Sequence, residues 1–186
     1  TMVKEAIQDA YQRMQASANV LRDELATIRT GRASPALVEK LMVNYYEQST
    51  PLNQLATISV PEARLLAIRP FDASSLVEIE RSILASDLGL TPNNDGKIIR
   101  LTIPELTEDR RRELTRVVGQ RVEDARVAVR NVRRDVQKDI RDFERENIIS
   151  EDEMHLGMRE LQRLTDESIR DINVLGENKH DEIMRV

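Results

Sequence analysis

The 186 residues are 40% hydrophobic and 33% charged, with a formal net charge of −5 and no cysteine. That is too apolar for a disordered chain and too charged for a membrane protein, and no run approaches the roughly 20 apolar residues that span a bilayer. Disulfides and thiolate chemistry are excluded, and 3% aromatic residues without tryptophan point to long helices rather than a β-rich core.

In chain order, apolar residues first recur at Val3, Ile7, Ala10, Met14, Ala18, Leu21, Leu25 and Ile28. Steps of three and four predict one stripe of an amphipathic helix about seven turns long. No leader is expected ahead of it, and Thr1 before Met2 is set aside as a remnant. The helix stops at "RTGRASP", where Gly31 and Pro35 break the period.

From 36 to 104 the pattern shortens. "KLMVNYY", "QLATISV", "RLLAIRP" and "KIIRLTIP" read as strands, and "TPNNDGK" reads as a strong turn. "SSLVEIERSILASDLG" predicts a helix with Leu76, Ile79, Ile83 and Leu84 on its inner side and Gly89 beyond its end. The expectation is a small α/β unit of three or four strands and one helix, with a core drawn from about 70 residues.

After Pro104 the helical period returns at Val118, Val122, Ala125, Val129, Val132, Val136, Ile140 and Phe143. Thr107 is a plausible N-cap, and the helix should run about 40 residues, or about 60 Å. The chain breaks at "ENIIS". Ser150 with Glu153 then makes a capping box for a third helix, with Met158, Leu161, Leu164, Ile169, Ile172 and Leu175 inward. Gly176 is expected to weaken that helix by about 1 kcal/mol against Ala.

One stripe on each of three long helices is buried most simply when each packs on the other two. The predicted fold is therefore α+β: a three-helix bundle from residues 1–30 and 105–186, with the unit 31–104 inserted between the first and second helices. The two crossings, near Gly31 and near Pro104, make a natural hinge.

Catalytic signatures are missing. There is no Gly-rich phosphate loop, no HExxH and no nucleophile–base pair, and His155 and His180 lie far apart on a charged helix. Neither an enzyme, a cofactor nor a metal site is expected.

The charge is sorted instead. Residues 147–186 carry ten acids against five bases, while 105–146 carry eleven against twelve. From Arg126 to Arg134, four arginines fall in nine residues with no acid among them. Relative to the valine stripe, Arg126, Arg130 and Arg133 lie about 60–120° round the helix, with Arg112, Arg116, Arg134 and Arg141 slightly further. Asp124, Asp135, Asp139 and Asp142 take the opposite flank. Arginine presents a planar fork that grips phosphate by two oxygens, so a rod bearing such a strip suits a nucleic-acid backbone. A solvated face and a bridge to the acidic third helix are the competing structural readings, and the bridge would use Arg126 and Arg133 before Arg130. Tyr45 and Tyr46 are adjacent, so one must face out of its strand, but an edge tyrosine explains that. Contact with RNA would be to backbone and shape.

Six motifs add a resemblance. "IRTGRASP" (28–35), "TPLNQLA" (50–56), "ASDLGLTPNNDG" (85–96), "LTEDRRREL" (106–114), "ARVAVRNVRRD" (125–135) and "ISEDE" (149–153) closely resemble the bacterial ribosome recycling factor family, in order and over essentially the whole chain. The resemblance implies a cytoplasmic, monomeric, non-enzymatic factor without a cofactor. It implies an L-shaped molecule the size of a tRNA, with a three-helix bundle joined by a flexible hinge to a β/α/β domain. Such a factor binds the large ribosomal subunit and its 23S-type rRNA after termination. With elongation factor G and GTP hydrolysis it splits the ribosome into subunits. Carried onto this chain, "VRNVRRD" assigns Arg130, Arg133 and Arg134 to the rRNA, beside Arg126, and "RTGRASP" adds Arg29 and Arg32. The hinge maps to Gly31, Arg32, Ala33, Ser34 and Pro35 on one strand and to Ile103, Pro104 and Glu105 on the other. Gly119, Gln120 and Gly176 depart from the pattern, standing where members carry helix formers. The alternative is a helical scaffold or chaperone-like adaptor, whose partner binding would be insensitive to salt.

Overall fold

The structure, a computed structural model, describes residues 1–185. The helices are α1 (Met2–Ala26), α2 (Leu76–Ala85), α3 (Glu108–Arg145) and α4 (Glu151–Met184). The strands are β1 (Met42–Tyr45), β2 (Gln48–Pro51), β3 (Ala56–Glu62), β4 (Leu65–Pro70), β5 (Pro92–Asn94) and β6 (Ile99–Thr102). The chain divides into two compact units: Thr1–Ile28 with the chain from Asp109 onward, and Arg29–Glu108. No helix among the described residues is long and apolar enough to cross a membrane.

The first unit is helical. The stripe on α3 is buried from Leu114 through Val118, Val122, Ala125, Val129, Val132 and Val136 to Ile140. Ala10, Met14, Ala18, Leu21 and Leu25 of α1 and Leu161, Leu164 and Ile172 of α4 are also buried. Met158, Ile169 and Leu175 are half-buried at the edge of this core. Ion pairs at Arg13–Asp135 (2.9 Å) and Arg121–Glu24 (3.5 Å) show that α1 and α3 run in opposite directions.

The caps follow ordinary backbone chemistry, because the first N–H groups of a helix lack intrahelical acceptors. Ser150 Oγ accepts from the Glu153 N–H at 3.1 Å and so starts α4. Thr1, set aside above, in fact caps α1: its Oγ1 accepts from the Lys4 N–H at 3.3 Å. At the other end of α3, Asn147 adopts φ +59° and the Ile148 N–H returns to the Phe143 carbonyl at 2.8 Å, which closes the helix.

Gly176 corrects an expectation. A Cβ built there would lie 2.6 Å from Val122 Cγ2, so this glycine marks a close approach of α3 and α4 rather than a simple weak point. Gly157 does the same toward α1, with Val3 Cγ1 at 2.9 Å from the built Cβ. Gly119 differs, since nothing lies within 4 Å of a Cβ placed there.

The second unit holds a four-stranded antiparallel sheet in the order β3-β4-β6-β5, and a separate hairpin β1-β2. Ile68 of β4 pairs with Ile58 on one side and Ile99 on the other, which sets the register across the centre. Leu66, Ile68, Ile99, Leu101 and Val43, with Leu76, Ile79 and Ile83 of α2, form one buried cluster. Leu84 was expected inward but is 59% exposed, because it lies about 100° round from Ile83.

Two strands have no counterpart among the apolar runs. β2, "QSTP", pairs through Thr50 with Val43, and β5, "PNN", pairs through Asn93 with Arg100 and through Asn94 with Ile99. Both carry polar turn-forming residues. They become strands because a better strand beside each offers a free edge.

Candidate nucleic-acid interface

Burial of its stripe fixes the rotation of α3 and so decides where its charges point. Arg126, Arg130 and Arg133 sit half-buried at the stripe's edge, and Arg134 beside them is exposed. The four guanidinium groups are nonetheless not equivalent.

Arg126 is held in place. Its Nε and Nη2 both donate to Asn173 Oδ1 of α4, at 2.9 and 2.6 Å, and its Nη1 donates to Glu123 at 3.1 Å. The bridge to α4 therefore exists, and it ends on an amide rather than a carboxylate. Arg130 Nη1 lies 3.4 Å from the other oxygen of Glu123, a half-exposed pair worth about 0–1 kcal/mol. Counting acids only between 126 and 134 overlooks Glu123. It stands three residues before Arg126, on the same flank, so the spacing could have revealed it. Asn173 carries no comparable signal, since only the packing of α4 on α3 brings it near.

Arg133 and Arg134 have no carboxylate within ion-pair distance among the described residues. Arg134 reaches only Asn131 Oδ1, at 3.5 Å. Arg133 keeps its Nε buried with no acceptor among the protein atoms, as does Arg111 at the start of α3. A buried N–H left unpaired costs about 1–3 kcal/mol. The strip thus grades from a guanidinium bonded across the bundle to guanidinium groups with no carboxylate partner among the described residues.

One carboxylate of the opposite flank ties α3 to α1, and others pair within α3. Asp135 accepts from Arg13 of α1, and that hydrogen bond raises the Arg13 pKa above its ordinary value. Asp124 accepts from Gln120 at 2.9 Å. On α4, Arg163 bridges Glu160 at 2.6 Å and Glu167 at 3.0 Å. The bond to Glu160 raises the guanidinium pKa and lowers that of the carboxyl. His155 and His180 are exposed on the same helix, 3.5 Å from Glu151 and 3.6 Å from Asp181.

The remaining candidates lie in the sheet unit. Arg29 is half-buried and its Nη2 donates to the Asp87 carbonyl at 3.3 Å, while Arg32 is exposed. Of the hinge candidates, Ala33 donates its N–H to the Ala63 carbonyl and Ile103 donates to Arg64, both at 2.8 Å. Ser34 Oγ accepts from Ala36, and Glu105 pairs with Arg64 at 3.1 Å. Gly31, at φ +78°, is packed so that a Cβ would meet Leu106 at 3.4 Å. Pro35 opens a short helical turn, and Pro104 is exposed. Tyr45 donates its hydroxyl to Asp72 at 3.0 Å, and Tyr46 is the outward tyrosine, 74% exposed in the β1–β2 turn.

Known proteins resemble this chain from end to end. The family profile described as ribosome recycling factor matches residues 21–184. The ribosome-recycling factor of Roseiflexus sp. (strain RS-1) is 51% identical over the full length of both chains, and that of Halalkalibacterium halodurans is 52% identical over the same span. A solution structure of the ribosome recycling factor superposes with a TM-score of 0.83 at 42% identity, covering 100% of this chain and 99% of that one. A second structure places the T. thermophilus ribosome recycling factor and E. coli elongation factor G on the E. coli post-termination complex. Its recycling factor matches with a TM-score of 0.68 at 43% identity, over 98% of this chain and 99% of that one. A profile match over most of the chain and end-to-end identity near one half leave one assignment: this chain belongs to the ribosome recycling factor family.

Proposed function

We propose that this protein recycles ribosomes after termination, docking on large-subunit rRNA through the arginine flank of α3. The family is one of translation factors rather than enzymes. The observation that supports the docking assignment is that Arg133 and Arg134 have no carboxylate partner among the described residues, beside the weakly paired Arg130. Phosphate oxygens would supply the acceptors the bundle does not. Arg126, already bonded to Asn173, orients the strip more than it grips RNA. α4, with its excess of acids, faces away from RNA because it would be repelled there.

Elongation factor G is the second partner in this reading, as it is beside the related factor on the post-termination complex. The GTPase supplies the energy, and the stiff bundle passes force to the subunit contacts. Ala33 and Ile103 are tied into the sheet unit, so the pivot is assigned to the stretches flanking Ile28–Arg29 and Glu108–Asp109, where the two units divide. The factor acts as a monomer in the cytoplasm.

Cosedimentation with purified large subunits across a salt series tests the docking face. Affinity should fall steeply with salt, and the slope should lessen by about 1 for each of Arg133 and Arg134 removed. Arg133→Glu should weaken binding while leaving the melting temperature in place. Unchanged binding by that variant would show that the face is wrongly assigned. Salt-insensitive association would favour a protein-binding scaffold.

A further inference from the structure

The β5–β6 turn contains the chain's one Asp–Gly pair, Asp95–Gly96, and the chain has no Asn–Gly. Asp–Gly is the aspartyl pair most prone to rearrange, because glycine has no side chain to shield its amide nitrogen. That nitrogen attacks Asp95 Cγ and water leaves, forming a succinimide. Water then re-enters at the original backbone carbonyl carbon, and the chain continues through the side chain as isoaspartate. The sequence needs no oxidant or cofactor, and both residues are exposed.

We propose that Asp95 is this protein's site of spontaneous isoaspartate formation, held latent in the folded state by bonds that immobilise both reacting groups. The nucleophile is occupied: the Gly96 N–H donates to Asn94 Oδ1 at 2.7 Å. Asn94 is itself held by Glu80 of α2, which accepts from its Nδ2 at 3.0 Å. The electrophile is turned away. Asp95 Oδ1 accepts from the Lys97 and Ile98 N–H groups at 2.9 and 2.8 Å, and Oδ2 accepts from Arg100 Nη1 at 2.7 Å. Swinging Cγ onto the Gly96 nitrogen would break all three bonds. They also keep the carboxyl ionised, with its pKa far below the ordinary range, and an ionised carboxylate has no hydroxyl to lose as water. The Asp95 N–H, meanwhile, is bonded to the Ile98 carbonyl at 3.2 Å. Rearrangement would insert a methylene between positions 95 and 96. That would displace the Asn94↔Ile99 and Asn93↔Arg100 pairs that hold the edge strand β5.

The full-length protein is aged in buffer and in urea, and isoaspartate is quantified by methyltransferase labelling and peptide mapping. In urea the modification should accumulate at Asp95. In the folded chain it should form about a hundredfold more slowly, since reaction needs local opening of the turn. Arg100→Gln and Asn94→Ala should each raise the folded rate by roughly three- to tenfold without changing the rate in urea. A folded rate equal to the urea rate overturns the proposal, as does modification mapping elsewhere or two variants that leave the folded rate unchanged. Should either variant fail to fold, the native-to-urea ratio of the unsubstituted chain still decides.

Discussion

The helical unit and the sheet unit put their polar side chains to different uses. In the sheet unit, polar groups close the backbone locally. Asp72 accepts from the Ser74 N–H and hydroxyl and from the Tyr45 hydroxyl, and Asp95 gathers two N–H groups and Arg100. In the helical unit the backbone satisfies itself, so side chains are free for the surface. A few, such as Arg13, Asp135 and Arg126, tie helices together, while Arg133 and Arg134 tie nothing. A docking charge is most readily offered by a region whose fold does not depend on it, which is why the rod rather than the sheet carries the proposed RNA face.

Core truncation should give the largest effect. Ile68→Ala at the centre of the sheet should cost about 2–5 kcal/mol. With two separate cores, calorimetry should show the sheet unit melting first while the far-UV helical signal persists. One merged transition would break the comparison, because it would make the two units a single cooperative structure.

Glycine substitutions come next and should differ in sign. Gly176→Ala drives a methyl into Val122, whose branched side chain has little freedom to yield, and should destabilise by about 1–3 kcal/mol. Gly119→Ala meets open space and should stabilise by about 0.5–1 kcal/mol through helix propensity. Chemical denaturation of both variants reads this directly, and equal shifts would contradict the close approach at Gly176.

Within the strip, Arg126→Ala should lower stability by about 1 kcal/mol, discounted for its partial exposure, whereas Arg134→Ala should leave the melting temperature unchanged. Large-subunit affinity should rank the two the other way.

The smallest effect is a pH dependence within the sheet unit, set by Asp72 and Tyr45. Donation from Ser74 and then Tyr45 holds the Asp72 carboxyl below its ordinary pKa. Its contribution is therefore complete above the unfolded aspartate value of about 3.9 and is lost as pH falls through the folded value. The bond to Asp72 raises the Tyr45 pKa, so that contribution is complete below about 10 and lost as pH rises through the folded value. Tyr45→Phe should remove the alkaline edge and lessen the acid one, where the Ser74 bonds remain, and an unaltered alkaline edge would assign it to another group.

Periodicity alone located α1, α3 and α4, because a rod buried on one side must repeat its apolar residues every three or four positions. The same rule placed the arginine strip, since the angle from a buried stripe follows from residue number. The alternating runs of β1, β3, β4 and β6 were legible for a similar reason. β2 and β5 were not, because their pairing energy comes from neighbours distant in sequence. Packing alone decided that Gly176 is a contact point, that Arg126 is anchored on Asn173 while Arg133 and Arg134 are left without carboxylates, and that Ala33 and Ile103 bond to Ala63 and Arg64. Each depends on which backbone comes within a few ångströms of which side chain, and a linear pattern does not contain that distance.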